Sequence, residues 1–104
     1  LRAFLQAQGS PAPGYLPGRV DPLDEVGALV HVWRERPVGV VVMRNHAHYH
    51  LYVVDNAAFR SPPDFGREPR IKEVGQVAIL VWVDGDQLHV LATTSGKDAL
   101  AELL

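Results

Sequence analysis

Apolar residues fall in short blocks along this chain, and turn-forming residues separate the blocks. Runs at 28–33, 38–44, 48–55, 76–83 and 86–93 are rich in Val, Leu, Ile and aromatic residues and predict strands. The first two are separated by Arg34-Glu35-Arg36-Pro37, the next two by Asn45-His46-Ala47, and the last two by Asp84-Gly85, a strong short hairpin signal. Before the strands, Leu1, Phe4, Leu5 and Gln8 recur at helical spacing, which predicts a short helix over 1–8. After them, Ser95 followed by Asp98 is a relative of the capping box and predicts a C-terminal helix starting there.

Two segments interrupt this order. Residues 9–18 hold three prolines and three glycines, so the segment is extended or turned: a linker, or an arm laid over the domain. Residues 56–69, with Ser61-Pro62-Pro63-Asp64, read as a loop that is long for a compact domain. The organisation predicted is an N-terminal helix and Pro/Gly-rich arm over 1–27, then an antiparallel α+β domain over 28–104. Its small sheet of about five strands is built from hairpins.

Register follows from the turns. A turn at Asp84-Gly85 pairs Val83 with Asp86 and Val81 with Leu88, so Val77, Ile79, Val81, Val83, Leu88, Val90 and Ala92 share a face. A turn at Asn45-His46 pairs Val40 with Leu51, which groups Val38, Val40 and Val42 with Tyr49, Leu51 and Val53. The opposite face then carries Gly39, Val41, Met43, His48, His50 and Tyr52. The helices are expected to cover the aliphatic face.

Composition narrows the classes. A chain of 104 residues suits one domain with one core, and the apolar share of 47% is ordinary for a globular fold. Net charge is −2 and the basic residues are scattered, which gives no electrostatic footprint for nucleic acid. There is no cysteine, so thiolate metal sites, redox pairs and thiol nucleophiles are excluded. No apolar run approaches the roughly 18 residues that cross a bilayer. Position 1 is Leu and no signal-peptide pattern follows it, so the chain is expected to be a piece of a longer protein.

The most visible chemistry is Asn45-His46-Ala47-His48-Tyr49-His50. Imidazoles two residues apart on a strand face the same way, about 6.6 Å apart at Cα, and can converge on one zinc, copper or nickel ion. His46 and His50 would lie about 13 Å apart on a straight strand, so His48 and His50 need a third ligand from elsewhere. Pairing Trp33 with Val38 puts His31 on the other face from His48 and His50, and His89 belongs to the other hairpin. Two convergent ligands fall short of a protein metal site, so the expectation is polar side chains beside a turn and no metal or other cofactor of physiological affinity.

Nucleophilic catalysis has less support. Ser10, Ser61 and Ser95 sit in an arm, a loop and a helix cap, and none lies in a Gly-x-Ser-x-Gly elbow. Asp84 and Asp86 flank a hairpin turn, where aspartate serves local hydrogen bonding. Gly14, Gly18 and Gly27 form no phosphate-binding loop, and Trp33, Trp82, Tyr49 and Tyr52 suit packing or an interface. The reading is a sensing or binding module, not an enzyme.

The succession itself has a parallel. Leu29 to Val54 runs as a strand, a charged turn ending Arg36-Pro37, an aliphatic strand, a basic and histidine-bearing turn, and a hydrophobic strand. Gly75 to Leu103 runs as a strand bearing Trp82, the Asp84-Gly85 turn, a strand and a short helix. This order resembles the extracytoplasmic C-terminal domain of bacterial membrane-anchored anti-sigma factors. The resemblance covers about 28–104 and implies a regulatory sensor domain beyond the cell membrane. One transmembrane helix, outside this chain, would join it to a cytoplasmic segment that holds the sigma factor and so controls transcription. It carries over no catalytic residue. A metal-binding sensor using His46, His48 and His50, and a general protein- or small-molecule-binding module, are the alternatives. Self-association into a homo-oligomer stays open.

Overall fold

Two-residue turns set the architecture. In the computed structural model, which describes residues 2–58 and 68–104, Arg34 and Glu35 both have positive φ (50° and 63°), the pattern of a type I′ turn without glycine. That turn joins β1 (Asp24–Trp33) to β2 (Arg36–Arg44), with Trp33 opposite Arg36. A three-residue loop, Asn45-His46-Ala47, leads into β3 (His48–Asp55); the Asn45 Oδ1 accepts the Ala47 N–H at 2.8 Å and closes it. After a 3-10 turn at Asn56–Ala58, the long loop expected over 56–69 lies largely outside the described residues.

The second half repeats the meander. β4 (Arg70–Val74), β5 (Val77–Asp84) and β6 (Gln87–Thr93) are joined at Gly75-Gln76 and Gly85-Asp86. Each of these turns has glycine first, at φ 61°, as a type II′ turn requires. The two meanders meet along β3 and β6, giving one antiparallel sheet ordered β1-β2-β3-β6-β5-β4. With the short helices α1 (Arg2–Ala7) and α2 (Lys97–Ala101) the chain is a small α+β domain. Among the described residues no helix is long and apolar enough to cross a membrane.

Several expectations need correction. The described residues form six strands where about five were expected: Arg70–Val74 carries only Ile71 and Val74 among charged neighbours, too little apolar signal to read as a strand. β1 starts at Asp24 instead of residue 28, with a bulge between Glu25 and Gly27. Trp33 pairs with Arg36, so His31 stands opposite Val38. The last turn is Gly85-Asp86 and not Asp84-Gly85, since Asp84 pairs with Gln87. That slip is two residues and leaves the faces unchanged. The β2–β3 slip is one residue, because the loop has three residues, and it exchanges the faces of β2 relative to β3. Val41 and Met43 therefore join Tyr49, Leu51 and Val53. Ser95 is not the N-cap; Gly96 is, and the Ser95 N–H donates instead to the Thr93 hydroxyl.

The two sheet faces differ in their cover. On one, Val41, Met43, Leu51, Leu80, Trp82 and Leu91 form the main core, closed by Leu5 of α1, Leu16 and Leu23 of the connecting arm, and Leu100 of α2. On the other, Val38, Val40, Val54, Val81, Val83 and Leu88 form a second cluster, which no described helical residue joins. The helices thus cover Tyr49, Leu51 and Val53 of β3 as expected, but the opposite faces of β2, β5 and β6 from those expected. Val40 and Val81 are nonetheless buried, at 1% and 4% exposure.

The residues at 9–18 are an arm laid on the main-core face. Glycines make room for it: a Cβ on Gly39 of β2 would run into the Pro11 carbonyl oxygen, and one on Gly18 into the Leu103 carbonyl. Beyond the arm, the Arg19 N–H donates to the same Leu103 oxygen at 2.6 Å, tying the chain to the end of α2.

Candidate functional site

The three histidines of the strand pattern do not converge. His48 and His50 do share a face of β3, and His46 sits in the loop; all three are exposed. The His50 ring stacks on Tyr52 at 6.5 Å between centroids. Contrary to the sequence expectation, His31 lies on the same face as His48 and His50, because the one-residue slip of β2 turns that face over. It nevertheless sits level with Val38, four residues along β2 from the partner of His50, which is about 13 Å. His89 points to the other face, as it pairs beside Val53 and Trp82. Among the described residues no group of three His, Asp or Glu could hold a metal ion.

His89 is the polar centre that sequence reasoning missed. It is fully buried, stacked on Trp82 at 5.0 Å and 11°. Its Nε2 accepts the Gly14 N–H at 3.2 Å, so the proton of the neutral ring belongs on Nδ1. Nδ1 makes no well-formed hydrogen bond, although the Gln87 backbone favours a proton on the ring. Burial pushes the pKa from 6.5 down to about 4, partly offset by the Asp84 carboxylate and that backbone group. Two neighbours complete a clasp on the arm: Asp84 Oδ2 accepts the Tyr15 N–H at 2.9 Å, and Trp82 Nε1 donates to the Tyr15 carbonyl at 2.8 Å. A Cβ on Gly14 would stand 2.6 Å from Asp84 Oδ2, so glycine is needed for this approach.

That clasp ties the arm to the side of β5 and β6 that carries the main core. His89, Asp84 and Trp82 hold backbone groups, and among the described residues no serine or threonine hydroxyl is bonded to the imidazole. The signal for it in the sequence was slight: histidine at an alternate position of an otherwise apolar strand, opposite a tryptophan.

The second face offers the better binding surface. Val38, Val54, Leu88 and Val90 floor a concavity of about 470 Å³, with Tyr52 within it and His31 and Trp33 at its β1 side. Its size falls in the range of small-molecule and peptide-anchor pockets. The Arg34 guanidinium lies 4.4 Å from the Trp33 ring centroid, a cation–π contact that holds the indole at the rim. Apolar walls with two aromatics and one imidazole suit capture of an apolar group. Among the described residues these walls carry no serine, threonine or carboxylate.

Among the described residues the chain is a small antiparallel α+β domain with both helices on one sheet face and an open apolar concavity on the other. No protein-family model, curated protein or solved structure matches the chain.

Proposed function

We propose that this chain is a regulatory, non-catalytic binding domain: the extracytoplasmic sensor part of a membrane-anchored anti-sigma factor. The observation that carries the binding role is the apolar groove on the sheet face that no described helix covers, rimmed by Trp33 and floored by Val38, Val54, Leu88 and Val90. The order of strands and turns from Leu29 to Leu103 supports the anti-sigma reading. In that reading the domain lies beyond the bacterial cell membrane, and a transmembrane helix and sigma-binding segment belong to the parent protein.

The mechanism needs only differential affinity. A ligand that prefers one state of the domain shifts the equilibrium by the difference in its affinity for the two states, and the membrane link passes that shift to the sigma factor. Deleting residues 28–104 from the parent should alter the response of sigma-dependent transcription to envelope stress. An unchanged response in that deletion would count against the reading, as would a parent protein without a membrane span.

A further inference from the structure

Charge is divided between the two faces of the sheet. Arg36 pairs with Trp33, Arg44 with His48, Arg70 with Val81 and Lys72 with Ile79, so the basic residues of the described strands all lie on the grooved face. The strand carboxylates mostly go the other way. Glu25 pairs with Met43, Glu73 with Ala78, and Asp55 and Asp84 with Gln87, on the face that the helices cover. Asp24, opposite Arg44, is the exception. Because the whole chain carries −2, the strands of the grooved face are positive against the sign of the molecule. Solubility alone favours mixed signs, so the segregation points to a ligand of opposite charge.

Two of the cations meet the groove at its β1–β2 end. The Arg34 guanidinium lies 4.4 Å from the ring centroid of Trp33, which lines the groove. Arg36 stands opposite Trp33 and two residues along β2 from Val38 on the floor, about 7 Å at Cα. The floor is recessed: Val38, Val54 and Leu88 are buried, whereas Trp33 at the rim is exposed. We infer that the groove binds a single-chain anionic lipid, its carboxylate held by Arg34 and Arg36 and its alkyl chain laid over Val38, Val54, Leu88 and Val90. A guanidinium fork matches the two oxygens of a carboxylate, and the concavity of about 470 Å³ shelters the chain from water. A bilayer is the poorer occupant, because a flat surface does not reach a recessed floor. The inference rests on the groove being the ligand site proposed above, and it names the chemistry of that ligand.

Calorimetric titration of the 104-residue chain with octanoate, decanoate and dodecanoate, each kept below its micelle concentration, tests it. Affinity should rise about fourfold for each methylene added. Decylammonium, with the same chain length and the opposite charge, should bind about tenfold more weakly than decanoate. Arg34→Glu/Arg36→Glu should reverse that order, and Arg34→Lys/Arg36→Lys should keep it. Both positions are exposed, so the variants should fold, and their circular-dichroism spectra check this. Equal affinity of wild type for decanoate and decylammonium overturns the inference but leaves the groove as a site for apolar groups. Decanoate affinity unchanged in Tyr52→Thr/Val90→Thr overturns it by placing the ligand elsewhere. Binding to anionic phospholipid vesicles without binding of any free alkyl carboxylate overturns it in favour of a membrane surface. These titrations use the isolated chain, so they stand or fall separately from the sigma-dependent response that tests the regulatory reading.

Discussion

Lowering the pH from 7 to 4 should destabilise the folded domain by about 3 kcal/mol through His89 alone. In the unfolded chain this imidazole takes up a proton near 6.5; in the folded domain burial holds it neutral until about 4. Between those values the unfolded state carries more protons, so stability is complete above pH 6.5 and falls as pH drops toward 4. The structural reason is direct. Protonating Nε2 removes the lone pair that accepts the Gly14 N–H and places a charge beside Trp82 in the core. Urea unfolding across this range, compared with His89→Gln, isolates the contribution, because exposed carboxylates titrate in both proteins. The variant should show a much flatter profile between pH 6.5 and 4. An identical slope in the two proteins would mean that the imidazole is not held neutral by the clasp.

Trp82→Ala should cost about 3–5 kcal/mol, enough to unfold a domain of this size or leave it marginal. The side chain is fully buried in the main core, on the same sheet face as the paired Leu80 and Leu91 and one position along from them, so its removal leaves a cavity that neighbouring β-strands cannot collapse into. It also takes away the Nε1 donor to the Tyr15 carbonyl and the ring on which His89 stacks. Trp82→Phe separates the two effects. The aromatic packing largely remains while the hydrogen bond goes, and the loss should fall to about 1–2 kcal/mol. In that variant the arm loosens before the sheet does, so limited proteolysis within residues 9–18 should quicken while global unfolding stays cooperative. Equal losses in the alanine and phenylalanine variants would show that the clasp, not the packing, dominates.

The sequence made the hairpins legible and left the faces ambiguous. Turn residues and apolar runs place five of the six strands to within a few residues, and the prediction that Val40 and Val81 are buried in antiparallel strands agrees with the structure. β3 alternates clearly, with Tyr49, Leu51 and Val53 inward and His48 and His50 outward. β2 does not: Val38, Val40, Val41, Val42 and Met43 are apolar on both sides, so no alternation could correct a one-residue error in the loop before β3. β5 has the same ambiguity, since Ala78, Leu80 and Trp82 are as apolar as Ile79, Val81 and Val83. A strand buried on both faces gives no clue to which side its helices take.

The groove and the clasp were harder to read for a different reason. Both are assembled from contacts distant in the chain: Gly14 meets His89 across 75 residues, and Trp33 shares a pocket with Leu88 and Val90. Local pattern carries no information about such meetings. The histidine strand, by contrast, stands out in sequence because its residues are adjacent, yet the sheet spreads His31 and His89 away from it.

The central claim is that the grooved face receives the ligand that the domain senses. Tyr52→Thr/Val90→Thr removes an aromatic ring from the groove and adds a hydroxyl at position 90, places β-branched residues at both strand positions, and leaves the clasp untouched. The decisive measurement is sigma-dependent transcription under envelope stress in cells whose parent protein carries this pair. The account predicts that the stress response changes as it does on deletion of residues 28–104, with the protein still present at normal abundance. A response indistinguishable from wild type, from a domain shown to be folded, would contradict it.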